Sequence, residues 1–134
     1  MYSVRVSRGI GRQKAYYVKQ LFKWFNKYFP TDELIRVYLI NCSTIHCKNG
    51  RNAAGMFVYR ENPCHKHSDF GGSPYMKNPF IRISGRRSIE EIITIALHEF
   101  VHYEQYRDQR NITERGVSVR MRTLEKMILE SDNG

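Results

Sequence analysis

The chain has 134 residues, of which 41% are hydrophobic and 26% charged, and its formal net charge at pH 7 is +9. This composition excludes a disordered tail and a fibrous chain, and three cysteines are too few for a disulfide-dense miniprotein. No run reaches the roughly 18 apolar residues that a membrane-spanning helix needs. We therefore expect a single globular domain over residues 1–134, without a membrane span.

The first 31 residues carry only positive formal charges. They contain no acidic residue and the following basic ones: Arg5, Arg8, Arg12, Lys14, Lys19, Lys23 and Lys27. Such a region favours acidic partners and predicts weak nucleic-acid binding, and the alternative is a solvated helix face behind a flexible basic leader over residues 1–12. The N-terminus lacks the apolar stretch of a signal peptide and the cysteine count is odd, so the sequence favours a cytoplasmic location.

Hydrophobic periodicity predicts an α+β domain that begins with a helix. Apolar residues three and four apart indicate a helix over residues 13–29, with an aromatic stripe that packs on a sheet. Three later segments are rich in β-branched and aromatic residues and are predicted strands: 34–41, 55–60 and 80–84. We expect a three-stranded sheet with the helices on one face.

Two further helices are predicted after the strands. Ser88 and Glu91 form a capping box that opens the first, which fades within residues 106–111. Thr113 is the expected N-cap of the last helix, which reaches about Leu129.

The sequence His98-Glu-Phe-Val-His102 carries the strongest chemical signal. On a helix, residues four apart lie on one face, so His98 and His102 can bind one Zn²⁺. Glu99 projects near the same edge, where it can act as the general base on a metal-activated water. A chance match is the alternative, but the motif lies within a capped helix and has apolar neighbours, so its histidines are not expected to face bulk water.

The chain resembles the HExxH zinc metallopeptidases over residues 88–124. This stretch is similar to the active-site helix and the following, ligand-bearing helix of small gluzincins, including minimal gluzincins and ImmA/IrrE-like proteins. The resemblance implies a zincin-like minimal domain with zinc as cofactor and a peptide or protein as substrate. It also implies that an edge strand binds the substrate backbone by strand addition, and residues 52–57 look like that segment. The residues expected to bind substrate are Ala53, Ala54, Gly55 and Met56.

The third zinc ligand is expected to be a carboxylate. No histidine follows His102, so a third histidine would have to come from the loops before the motif. Glu104 lies on the opposite side of the helix from the two histidines and fails geometrically. Glu114 and Glu125 both fall on the inward stripe of the last predicted helix, three turns apart, so they cannot both reach one metal.

The choice between Glu114 and Glu125 depends on their neighbours. Along the last predicted helix, both glutamates lie at similar distances from the level of the two histidines, so this distance does not decide between them. Gly116 and Ser118 are small, which would let the backbone near Glu114 approach the histidine helix closely. The resemblance adds a Glu-x-x-small pattern that supplies the third ligand, with Val117 in place of alanine. The sequence therefore favours Glu114 and leaves Glu125 as the alternative.

A second group of metal-ligating residue types is divided between residues 42–47 and the loop at 62–78. Its members are Cys42, His46, Cys47, Cys64, His65 and His67. Four of them could form a structural zinc site, but their spacing fits no common ribbon pattern, so incidental placement is the alternative. Cys42, at a strand end, is expected to be a small core residue.

Two classes of function follow from these features. The favoured one is a zinc-dependent peptidase in which His98, His102 and Glu114 bind the metal and Glu99 activates water. The rival is a nucleic-acid-associated basic module on a zincin scaffold, or a protease that acts on DNA-bound proteins. Helical periodicity argues against base stacking on the first helix, because it predicts that the aromatic rings are buried. A peptidase also needs a hydrogen-bond donor to the oxyanion that forms during hydrolysis. The sequence spacing does not decide which of four residues supplies it: Tyr103, Tyr106, Arg115 or Arg120.

Overall fold

A computed structural model describes residues 1–46, 52–59 and 79–132 of the chain. The elements within these ranges are β1 (Tyr2–Val6), α1 (Arg12–Tyr28), β2 (Ile35–Ile40), β3 (Ile45–His46), β4 (Asn52–Ala53), β5 (Gly55–Val58), β6 (Phe80–Ser84), α2 (Ile89–Arg107) and α3 (Val117–Asp132). This order confirms the α+β class, and the three predicted strands correspond to β2, β5 and β6.

The main sheet has four strands in the order β1-β2-β6-β5, one more than expected. Both β1 and β6 run parallel to β2, and α1 lies on the crossover between β1 and β2. Strand β5 runs antiparallel to β6, with Gly55 opposite Ile83 and Phe57 opposite Ile81. Among the described strands, β5 is therefore at an edge of the main sheet. The short strands β3 and β4 form a separate antiparallel pair.

The additional strand, β1, replaces part of the flexible leader expected over residues 1–12. The ring of Tyr2 is buried in the core, with its centroid 5.7 Å from that of Phe100. The alternation of Tyr2, Val4 and Val6 with Ser3 and Arg5 is a signal of a half-buried strand, but it is short. Pairing with β2, which the local pattern does not reveal, stabilises the segment as a strand.

Helices α1 and α2 pack on the main sheet, and α3 packs on α2. Helix α1 packs on β1, whereas α2 packs on both β5 and β6 and also contacts α1 and α3. The rings of Phe25 and Phe100 stack at the centre of this layer, with centroids 3.8 Å apart. A smaller cluster formed by Ile45, Met56, Val58 and Phe80 lies apart from this core, and Cys42 packs against it. None of the described helices has the length and apolar character of a bilayer-spanning segment.

Helix α1 buries only part of its aromatic residues. Leu21, Phe22 and Phe25 are buried in the core. The rings exposed to solvent by 43–59% are those of Tyr16, Tyr17 and Tyr28. The prediction that the rings of this helix are buried is therefore wrong for these three tyrosines, which lie beside the apolar stripe and not within it.

The two C-terminal helices begin differently from one another. The hydroxyl of Ser88 accepts a hydrogen bond from the Glu91 N–H at 3.2 Å, which confirms the predicted cap of α2. Helix α3 begins at Val117 and not after an N-cap at Thr113. The helix starts later than predicted because Gly116, the residue before it, adopts the left-handed conformation, with φ of +78°. Glu114 consequently lies in the loop before α3 and not on an inward helix stripe, which corrects the expectation of a ligand-bearing helix.

Candidate metal centre

Three predicted metal ligands, His98, His102 and Glu114, come together at one point. The Nε2 atoms of the two histidines are 3.0 Å apart. The Oε1 atom of Glu114 is 3.0 Å from Nε2 of His102, and its Oε2 atom is 3.0 Å from Nε2 of His98. Helix α2 supplies the histidines one turn apart, and the loop before α3 supplies the carboxylate. Within the described residues, this is the one group of three such side chains that could hold a metal ion.

The spacing of these atoms fits a tetrahedral zinc ion. Zinc binds nitrogen and carboxylate oxygen at about 2.0–2.1 Å, and tetrahedral geometry then places neighbouring ligand atoms about 3.3 Å apart. The separations between the three side chains are 3.0–3.4 Å. A cation bound among the three side chains would attract all of their lone pairs and so offset the repulsion between them. Two imidazoles and one carboxylate match the ligand set of catalytic zinc sites, which leave a fourth position open.

Other nearby carboxylates lie away from the histidines. Glu125 is an exposed residue of α3 and lines a groove with Trp24 and Leu129, between α1 and α3. The buried carboxylate of Glu104 accepts two hydrogen bonds from Arg120, at 2.9 and 2.7 Å. The structure therefore brings Glu114 to the two histidines and leaves Glu125 outside the site.

Gln105, which the sequence analysis does not single out, contacts the predicted metal ligand His102. Its side chain is buried and contacts the Nδ1 atom of His102 at 3.0 Å. It also bonds to both backbone polar groups of Thr113. The signal available in the sequence was its position three residues after His102, on the same side of the helix.

Glu99 lies between α2 and the edge strand β5. Its side chain is 7% exposed, and it accepts a hydrogen bond from the Phe57 N–H. Burial, and secondarily the negative charge of Glu114, raise the pKa of Glu99 to about 8, and the Phe57 hydrogen bond offsets part of this rise. The carboxyl group therefore retains its proton far more readily than an exposed glutamate.

Gly55 allows β5 to lie this close to α2. A Cβ atom at this position would be 2.3 Å from Cγ2 of Ile95 and 3.1 Å from Oε2 of Glu99. The first distance is far below van der Waals contact, so only glycine fits the observed approach. Glu99, the predicted general base, is thus placed against the backbone of a strand at the edge of the described sheet.

A cleft of about 240 Å³ opens beside these groups. Its lining residues are Phe57, Tyr59, Glu99, His102, Ile112, Thr113 and Glu114. It therefore combines a wall from the end of β5, the predicted base and two of the predicted metal ligands. No pattern in the sequence places Tyr59 or Ile112 beside the predicted base.

The predicted substrate-binding segment is divided between two strands. Ala53 belongs to β4, whereas Gly55 and Met56 begin β5. Ala54 lies at the bend between them, and its carbonyl accepts a hydrogen bond from the Ser84 N–H at 2.8 Å. Of these residues, Gly55 lies against Glu99, and Met56 packs in the smaller apolar cluster. Substrate binding by this segment stays a prediction.

The second group of cysteines and histidines is described only in part. Cys42 is half-buried and packs against the smaller apolar cluster, so it is not the fully buried core residue that was expected. The Nδ1 atom of His46 is 2.7 Å from Oδ1 of Asn52. The remaining members lie outside the described residues: Cys47, Cys64, His65 and His67.

The four residues considered as oxyanion donors have different environments. The hydroxyl of Tyr103 is buried and shares a hydrogen bond with Thr31 at 2.6 Å. Arg120 forms the ion pair with the buried glutamate of α2, and Arg115 is exposed beside the turn before α3. Tyr106 packs against the Phe57 ring of β5. None of the four lines the cleft that contains Glu99.

Comparison of the chain with protein-family models, with curated proteins and with solved structures finds no match. The resemblance to HExxH metallopeptidases therefore depends on three features of the chain itself. These are the motif at residues 98–102, its position within a capped helix, and the meeting of its two histidines with Glu114.

Proposed function

We propose that the protein is a zinc-dependent peptidase of the zincin-like type. The observation that carries this proposal is the meeting of His98, His102 and Glu114 beside a buried Glu99. Structural zinc sites almost always have four protein ligands, whereas catalytic sites have three protein ligands and one open position. Here the described residues bring three ligand side chains together, and a cleft adjoins them.

Glu99 would move the protons of the reaction. When bound, zinc supplies Lewis acidity, which makes a water molecule more acidic and polarises the scissile carbonyl. Glu99 would accept the proton of the attacking water at its carboxylate and then transfer it to the leaving amine. Without a cation the pKa of Glu99 is about 8, and a bound cation would favour the charged carboxylate that accepts the proton. The Phe57 N–H would hold the carboxylate in one orientation during both transfers.

The edge strand supports the assignment of a peptide as the substrate. Strand β5 is at an edge of the described sheet, and Gly55 and Phe57 both lie against Glu99. An extended peptide beside β5 would use backbone hydrogen bonds for alignment, in the manner of strand addition. Its backbone would then run past the base and the metal ligands, where a scissile bond has to lie.

The test uses the zinc-loaded protein and a peptide mixture prepared from a denatured proteome. We expect the parent protein to generate new peptide termini, detected by mass spectrometry. Glu99→Gln preserves the shape of the side chain but removes the base, so it should retain zinc and lose hydrolysis. Glu125→Gln, an exposed change outside the site, is the matched control and should remain active. Hydrolysis by Glu99→Gln at the parent rate, or a zinc-loaded parent that cleaves nothing, would contradict the proposal.

A second candidate function, nucleic-acid binding, is favoured by the surface of α1. The lysine ridge consists of three exposed residues one turn apart: Lys19, Lys23 and Lys27. Exposed rings of Tyr16, Tyr17 and Tyr28 lie on the same helix. Lysines beside exposed aromatic rings are the features with which proteins bind single strands without sequence preference. Such binding would be compatible with a peptidase that acts on nucleic-acid-bound proteins.

A further inference from the structure

We propose that Gln105 is a positioning residue of the metal site, and this inference rests on the function proposed above. Gln105 fixes which ring nitrogen of His102 faces the metal. It also holds the loop that delivers Glu114. One side chain thus aligns ligands that come from two separate parts of the chain.

The hydrogen bonds of Gln105 determine the orientation of its side-chain amide. Its Oε1 atom is 3.3 Å from the backbone nitrogen of Thr113, and its Nε2 atom is 3.1 Å from the Thr113 carbonyl oxygen. A backbone N–H can only donate and a carbonyl can only accept. Rotating the amide by 180° would place donor against donor and acceptor against acceptor. Thr113 therefore fixes Oε1 as the atom that faces His102.

This orientation determines the tautomer of His102. Because Oε1 of Gln105 can only accept, the Nδ1 atom of His102, 3.0 Å away, has to carry a hydrogen and donate it. In the neutral ring, Nε2 is then left with a free lone pair. That Nε2 atom is the one that lies 3.0 Å from both His98 and Glu114. The hydrogen bond therefore presents the correct nitrogen to a metal before the metal binds.

The same amide anchors the loop that carries the third ligand. Thr113 directly precedes Glu114, and both of its backbone polar groups bond to Gln105. The side chain of Glu114 is itself 73% exposed, so burial does not hold it in place. Gln105, by contrast, is 6% exposed and is one of the buried residues of α2. Without this anchor, the carboxylate has to be ordered when the metal binds, which weakens binding.

The test measures zinc affinity by competition with a chromophoric chelator. Residues that orient a metal-binding histidine typically contribute 10–100-fold to metal affinity. We expect Gln105→Leu, which removes every side-chain hydrogen bond at similar volume, to weaken zinc binding by that factor. Gln13→Leu, an exposed change on α1, is the matched control and should bind zinc as the parent does. Equal affinity of the parent and Gln105→Leu would overturn the inference.

A spectroscopic measurement distinguishes positioning from a general structural role. Nitrogen-15 shifts of the His102 ring in the metal-free protein, in alkaline buffer, report which nitrogen carries the hydrogen. We expect the Nδ1–H tautomer in the parent and in Gln105→Glu, which keeps an acceptor, and a mixture of tautomers in Gln105→Leu. Gln105→Glu loses the donor to Thr113, so its zinc affinity should fall between those of the parent and Gln105→Leu.

The outcomes separate this inference from the proposed function. A parent protein that binds no zinc contradicts the proposed metal site itself. A parent that binds zinc, together with an unchanged His102 tautomer in Gln105→Leu, contradicts only the role of Gln105. If Gln105→Leu does not fold, Gln105→Glu carries the test, and parent-like affinity in that variant overturns the role of the Thr113 anchor.

Discussion

Replacing Glu99 by glutamine should stabilise the metal-free protein in alkaline solution. Folding moves this carboxyl group from water to a buried position near Glu114, which raises its pKa from 4.5 to about 8. The folded state thus binds the proton more tightly than the unfolded state does. This contribution to stability is complete below about pH 4.5 and is lost as the pH rises to about 8. One pKa unit corresponds to about 1.4 kcal/mol, so the loss between pH 5 and pH 8 reaches at most about 4 kcal/mol.

The assay is urea denaturation of the parent and Glu99→Gln, both metal-free, at several pH values between 5 and 8. Glutamine never ionises and can still accept the Phe57 hydrogen bond, so the free energy of unfolding of the variant should exceed that of the parent increasingly as the pH rises. Glu125→Gln, at an exposed position, should show a constant difference from the parent. Zinc should reduce the pH dependence, because a nearby cation favours the charged carboxylate. A difference for Glu99→Gln that does not change with pH would refute the reasoning.

Three other perturbations test the surroundings of the site. Arg120→Met leaves the buried carboxylate of Glu104 without its partner and should lower the free energy of unfolding by about 3 kcal/mol. Adding Glu104→Leu to the same chain should restore most of this loss. No recovery in the double variant would contradict the prediction. Gly55→Ala pushes a methyl group into Ile95 and should cost about 1–3 kcal/mol and reduce zinc affinity, so unchanged unfolding and zinc binding would argue against the close approach of β5 and α2. Substituting glutamine at all three positions of the lysine ridge should weaken binding of a single-stranded oligonucleotide at low salt and flatten its salt dependence, whereas parent-like binding would exclude this ridge from the interface.

The sequence was sufficient for those parts of the site that depend on local geometry. His98 and His102 could be placed on one face because four residues make about one turn of any helix. Ser88 could be identified as the N-cap because its partner, Glu91, is three residues away. In both cases the interacting residues are three or four positions apart, so helix geometry alone predicts that they meet.

Glu114 shows where local reasoning fails. It was favoured over Glu125 because Gly116 and Ser118 are small, on the assumption that all of them lie on a helix. In the structure, Gly116 has a left-handed conformation and α3 begins after it, so the carboxylate reaches the histidines from a loop. The predicted residue meets the histidines, but the expected route was wrong.

Gln105 and β1 depend on contacts that the periodicity of a single helix or strand does not predict. The amide of Gln105 gains its role only when the loop containing Thr113 returns to α2. Strand β1 forms because Tyr2–Val6 pairs with β2, about 33 residues further along the chain. Neither the Gln105–Thr113 contact nor the pairing of β1 with β2 follows a regular spacing by which it could be recognised from one sequence.

The central claim is that His98, His102 and Glu114 hold one zinc ion, and the zinc content of the purified protein tests it most directly. Elemental analysis should find one zinc per chain in the parent and in Glu125→Ala, whose side chain lies on another face of the molecule. His98→Ala and Glu114→Ala should each lose most of that zinc in the presence of a competing chelator. A parent without zinc, or a loss confined to Glu125→Ala, would contradict the claim.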